Sequence, residues 1–204
     1  MVKISKYKNN YVKNNNMKIN IPSLRIDQVC SDIHKISSAH REQVLKRETF
    51  NGQTALNSHA DTTVADQKYV PICHTERSCD VAPFSDTYEP MKDVAVISAA
   101  TGITSTTGRQ YILVFHECLY MPKLSHTLIN PNKLFYFQTQ VQDNPYMTDT
   151  MSITILNGNF IACLESEGTN LFHNTWSPPQ EELTLLPHIE ITSQQPWYPH
   201  KITF

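Results

Sequence analysis

Residues 55–64 read Ala-Leu-Asn-Ser-His-Ala-Asp-Thr-Thr-Val. Leu56 and Val64 are apolar and sit where two strands would flank a loop, and the residues between them are polar or small. A plain polar turn between strands fits this pattern. So does a functional loop carried on a β scaffold, and the surrounding chain favours the scaffold.

Outward from this run, Gln53 to Glu165 reads as strands. Thr63–Val70 and Val94–Ala99 are expected strands. Tyr111–Tyr120 is apolar on both faces, which suits a buried strand. Thr150–Glu165 reads as a hairpin, because Asn157-Gly158 is the dipeptide a type I′ turn wants and β-rich runs flank it. Asn130-Pro131 reads as a helix start, with Asn130 as cap and Pro131 at the first helical position. No periodic repeat is present.

The chain has 204 residues, enough for one domain with a core plus tails. Apolar residues make up 40%, slightly low for a fully packed chain, which points to unpacked segments. A net charge of −2 gives no strong field toward nucleic acid or acidic substrates. No apolar run is long enough to span a bilayer, and the N-terminus has no signal-peptide pattern. The five cysteines are irregularly spaced and read as reduced thiols. Five glycines against twelve prolines leave no Gly-rich phosphate loop.

Residues 1–48 read as a basic, largely disordered tail. Lys3, Lys6, Lys8, Lys13 and Lys18 stand among many asparagines, and weak nucleic-acid contact is the expectation for this arm. A short amphipathic helix within 23–48 would place Val29, Ile33 and Ile36 on one face. Residues 49–166 form the expected domain. Residues 167–204 read as a Pro-rich linker, with a helical turn at Gln180–Leu185 and with Trp176 and Trp197 packed on the domain. Cys73, His74, Cys79, His116 and Cys118 are of the residue types that ligate zinc. Their spacing matches no CxxC pair and buried cysteines are ordinary in β cores, so no metal or cofactor is expected.

Asn57-Ser58-His59-Ala60-Asp61-Thr62 resembles the Asp-Ser-His-Ala-Asp-Thr loop of the protease segment in Ty1/copia-type retrotransposon Gag-Pol polyproteins, in particular a diatom-like branch. Later segments are similar to that family in the same order. They are Cys79-Asp80-Val81-Ala82-Pro83-Phe84, then Lys92 to Thr101, then Glu117 to Leu124 followed by Thr127 to Leu134. The run from Ile189 to Ser193, with Pro196, Trp197 and Pro199, resembles the linker toward integrase. The likeness covers residues 45–204.

The resemblance implies a mainly β fold. It would be a closed retropepsin-like barrel with one short helix and flexible tails, working as a homodimer on an extended peptide. It assigns Asn57, Ser58 and His59 to the catalytic loop, with Ser58 bonding across the dimer axis. Ala60 and Asp61 would contact substrate, Asp61 also bracing the loop. A flap near Ile97–Ile112 would carry Gly102 and Gly108, both supplying positive φ around a tip at Ile103–Thr107. Asp66 reads as a surface residue.

The chemistry of this family needs two adjacent carboxylates. Like charges so close cannot both ionise, so one takes a proton from water while the other polarises the scissile carbonyl. Here the acid position holds Asn57, which cannot accept that proton. The expectation is a polyprotein-processing endopeptidase fold without its activity. The alternatives are a non-catalytic dimeric peptide-binding module and a degenerate retroelement fragment. The expected location is the cytoplasm, in virus-like particles, or the nucleus.

Overall fold

The structure is a computed structural model, and it describes residues 3–8, 52–82, 87–147, 150–155 and 158–202. The expected helix within 23–48 lies outside these residues. The elements are β1 (Lys3–Lys8), β2 (Gly52–Leu56), β3 (Val64–Ala65), β4 (Val70–Ala82), β5 (Met91–Thr104), β6 (Gln110–Tyr120) and β7 (Thr127–Ile129). Then follow α1 (Pro131–Tyr136), β8 (Gln140–Gln142), β9 (Ser152–Ile155), β10 (Phe160–Cys163), β11 (Glu165–Glu167), β12 (Asn170–Thr175), α2 (Gln180–Leu185) and β13 (His188–Glu190). A 3-10 turn at Pro199–Lys201 follows. The fold is mainly β.

The large sheet is mixed, in the order β1-β4-β5-β6-β3-β7-β2-β12-β11, with β13 added to β6. A smaller antiparallel sheet has the order β10-β9-β8. The two share one core. Ile97, Ala99, Ile103, Leu113 and Phe115 of the large sheet bury against Ile153, Phe160 and Ala162 of the small one, with Leu134 of α1 between. Tyr111 meets Phe160 edge-on at 5.2 Å. Each such side chain contributes about 1.5–3 kcal/mol by leaving water.

β5 and β6 are apolar on both faces for a visible reason. Odd positions of β5 enter the main core, while Val96 and Ala100 enter two smaller clusters on the other face. In β6 a bulge intervenes: Ile97 pairs Cys118 and Ala99 pairs Phe115, so His116 and Glu117 both oppose Ser98. The extra residue shifts the alternation by one, and Cys118 rather than Glu117 faces the core. Glu117 takes φ +56° there. That conformation costs a side-chain-bearing residue about 1–3 kcal/mol and persists only where neighbours hold it.

Several expectations hold. β9 and β10 pair as a hairpin with Gly158 at φ +92°, although Asn157 lies outside the described residues. Asn130 caps α1 through its side chain and Pro131 opens the helix. α2 spans the expected Gln180–Leu185.

Others are corrected. Among the described residues there is no closed barrel, and the large sheet is open with β1 and β11 as its edges. Beyond β12 a single bridge joins Trp176 to Gly102, with N–H to O distances of 2.9 and 3.1 Å. No ladder grows from it, because Pro178 and Pro179 follow and lack the N–H a ladder needs. Thr63–Val70 is not one strand. Asp66 caps a turn after β3 by accepting Lys68 N–H at 2.9 Å, and β4 starts at Val70. Residues 167–204 are no free linker: β12 lies beside β2, and β13 pairs in parallel with β6. Residues 3–8, expected as part of a disordered tail, form β1 on the edge of β4.

Candidate functional site

The loop Asn57–Thr63 leaves β2 and returns as β3, yet these strands are not neighbours. β7 lies between them, parallel to β2 through Leu56 and Ile129 and antiparallel to β3 through Val64 and Leu128. The loop is therefore pinned by β7 at its start and by β7 and β6 together at its end. Asn57 N–H donates to Ile129 O at 2.8 Å, and Leu119 N–H donates to Thr63 O at 3.0 Å.

The first turn of α1 clamps the loop from behind. Asn130 Nδ2 donates to Ala60 O, while its Oδ1 caps Lys133 N–H. Lys133 is fully buried, and its ammonium donates to Thr62 Oγ1 at 3.0 Å and to the carbonyls of His116 and Glu117, both at 2.8 Å. Burial lowers its pKa to about 8, because three neutral oxygens replace water without supplying a countercharge. Thr62 Oγ1 also donates to Glu117 O at 2.9 Å. The buried Glu117 carboxylate pairs with Arg77 of β4.

The far side of the loop faces outward. Ser58 and His59 are exposed, Asn57 and Asp61 are half-buried, and Ala60 is buried. Asn57 Oδ1 accepts His59 N–H at 2.9 Å, and Ser58 Oγ lies 3.4 Å from His59 Nδ1. The loop thus presents an amide, a hydroxyl and an imidazole on a fixed backbone. An amide side chain can orient a peptide group but takes no proton from water.

Of the residues singled out in the sequence, Asn57, Ser58, His59, Ala60 and Asp61 lie together. Gly102 and Gly108 do not. The loop runs beside Glu117–Leu119 of β6, whereas Gly102 pairs with Ile112. Five residues of strand separate Ile112 from Glu117, about 16 Å. Gly108 is farther along, in the β5–β6 turn at φ +77°, as that turn requires. Gly102 has no positive φ. Its role is steric: the Trp176 indole lies where a Cβ would be.

Asp66 is not a surface residue either. It is 1% exposed, accepts Thr127 Oγ1–H at 3.1 Å and ties β3 to β7. Among the described residues no group of three or more His, Cys, Asp or Glu is arranged to hold a metal. Cys73, Cys79, Cys118 and Cys163 are free thiols, and Cys79 and Cys118 are pushed up to about 11 and about 12 by burial. Among the described residues no helix is long and apolar enough to cross a membrane.

Sequence reasoning missed Lys133, Glu117 and the partners that Trp197 takes where it packs on the domain as expected. Lys133 had a signal: it stands three residues after the cap Asn130, on the same helix face. Glu117 sits inside an apolar strand, where a carboxylate needs a partner. The partners of Trp197 had no local signal. No family model, no curated protein and no solved structure matches the chain.

Proposed function

We propose that the chain is a retropepsin-like half-site of Ty1/copia type whose catalytic acid has been replaced by Asn57. It pairs with a second copy and holds an extended peptide without cutting it. The observation that carries this reading is the loop itself. It is held from behind by Asn130 and β7 on its backbone and by Lys133 on the Thr62 hydroxyl, while Ser58 and His59 are exposed and Asn57 is half-buried beside them. Fixed backbone with an open tip is what a cleft shared between two copies needs. The fold need not close into a barrel for this, because the loop's support comes from β7, β6 and α1.

Asn57→Asp is the test. Each copy regains a carboxylate, and the pair shares one proton. The variant should cleave a peptide spanning a polyprotein linker, in a reaction blocked by a statine-type inhibitor, while the native chain cleaves nothing. It should also dimerise more weakly than the native chain at neutral pH, because two carboxylates repel. A folded, dimeric variant that neither cleaves nor binds the inhibitor would remove the protease-derived reading.

A further inference from the structure

One edge of β6 pairs with β5. The other is shared end to end by β13, along Ile112–Val114, and by β3, along Leu119–Tyr120. β13, His188–Glu190, lies on this second edge as an added strand, and the chain continues from it as irregular structure to Trp197. Ile112 N–H donates to Pro187 O and Ile191 N–H donates to Val114 O, both at 2.9 Å. Ile189 and Ile191 alternate into the core, 6% and 2% exposed. Thr192 Oγ1 accepts His116 N–H at 2.7 Å and lies 3.2 Å from His116 O, to which it donates.

Farther on, Trp197 is an anchor. Its backbone N–H donates to Glu117 Oε2 at 3.2 Å, and its indole N–H donates to Asp61 O at 2.8 Å. The ring meets Tyr136 at 5.3 Å and Phe137 at 5.9 Å, and the Lys133 ammonium lies 5.7 Å from its centre. Between the two anchor points Gln194, Gln195 and Pro196 are exposed. The preceding helix α2 buries none of its residues.

Strand addition for affinity, alternate apolar pockets and a buried aromatic at one end are how extended peptides are recognised. We propose that this edge of β6 is a recognition groove for an extended segment of the pattern Ile-x-Ile-Thr followed by Trp, filled by the chain's own residues 188–197 and equally fitted to the same segment of a second copy. Exchange between copies recreates the same contacts, so local concentration alone decides between own and partner segment. Because Trp197 ends on Asp61 O, filling the groove also braces the Asn57 loop. The inference rests on this packing and stands whether or not the loop descends from a protease.

The probe is a fluorescent peptide of residues 187–202. The receptor is the full chain carrying Ile191→Asp and Trp197→Ala, which disable its own segment and leave the groove intact. Saturable binding is expected, at least tenfold tighter than to the native chain, whose groove is filled. Replacing Trp in the peptide by Ala should weaken binding roughly tenfold or more, as for a buried aromatic anchor. A double variant that is folded by circular dichroism but binds no peptide overturns the proposal, and so does one that binds no better than the native chain. Hydrogen exchange on the native chain tests the idea without any variant. A separable segment requires the Ile191 amide to exchange faster than the Leu119 amide, which is held by Thr63. Equal rates, set by global unfolding, overturn the proposal.

Discussion

Replacing Gly102 by alanine tests whether this glycine belongs to a mobile flap or to a packed seam. A Cβ built at Gly102 falls 2.5 Å from both Cζ2 and Nε1 of Trp176. Nonbonded carbons rest at about 3.5–4.0 Å, so the indole has to move by about an ångström. It is not free to do so. Its backbone is bonded twice to Gly102, and Nε1–H donates to Glu182 Oε2 at 2.8 Å. Overpacking of this kind costs about 1–3 kcal/mol, and losing one or two hydrogen bonds adds about 1 kcal/mol each. The sum is about 2–5 kcal/mol, a fall in Tm of roughly 10 °C at its middle for a chain of this size. Gly108→Ala is the control. Nothing lies within 4 Å of a Cβ there, and only φ +77° opposes the change. Its cost is about 1 kcal/mol, or roughly 2–4 °C. Urea titration and thermal melting of both variants at pH 7 give the comparison. Should Gly102→Ala lie within about 1 kcal/mol of the native chain, or cost no more than Gly108→Ala, the seam argument fails.

Two buried basic groups each make stability rise with pH, in separate windows. His173 is fully enclosed, neither ring nitrogen has a hydrogen-bond partner, and burial lowers its pKa from 6.5 to about 4. As pH falls from 6.5 to 4 the unfolded chain takes a proton the folded chain refuses, so about 3 kcal/mol of stability is lost across that window. His173→Leu should remove this loss and stabilise the chain by about 1–3 kcal/mol at neutral pH, and urea titrations at pH 7 and pH 4.5 would read both effects. Lys133 acts in the same direction at higher pH. Between about 8 and 10.5 the folded chain has lost a proton that the unfolded chain keeps, so its contribution rises with pH by about 3 kcal/mol. The raised thiols of Cys79 and Cys118 oppose this above 9, so the quantity to measure is the difference between the native chain and Lys133→Met. A difference constant from pH 8 to 10 would show that Lys133 is not buried as a cation.

The locally coded parts of the fold were legible because each has a short-range cause. The cap at Asn130 needs only a side chain that reaches Lys133 N–H three residues on. The β9–β10 hairpin needs a residue that tolerates positive φ, and Gly158 supplies it. The loop's flanks at Leu56 and Val64 follow from apolar residues around a polar run. Asp66 shows the limit. A carboxylate after a strand reads as a surface group, and only Thr127, 61 residues away, makes its burial tolerable.

The amino-acid sequence by itself determined that this is a β-rich chain, where its loop lies between Leu56 and Val64, and that the loop carries an amide, a hydroxyl and an imidazole in succession. Tertiary structure alone decided how the loop is held and what the tail does. The Trp197–Asp61 bond joins residues 136 apart, and Lys133 reaches Thr62 across 71. Over such separations a local pattern names no partner, because the choice among distant surfaces is made by which packing buries the most apolar area while leaving polar groups paired. The same holds for the open sheet: Pro178 and Pro179 were visible from the outset, but only the position of Trp176 against Gly102 made them the place where closure stops.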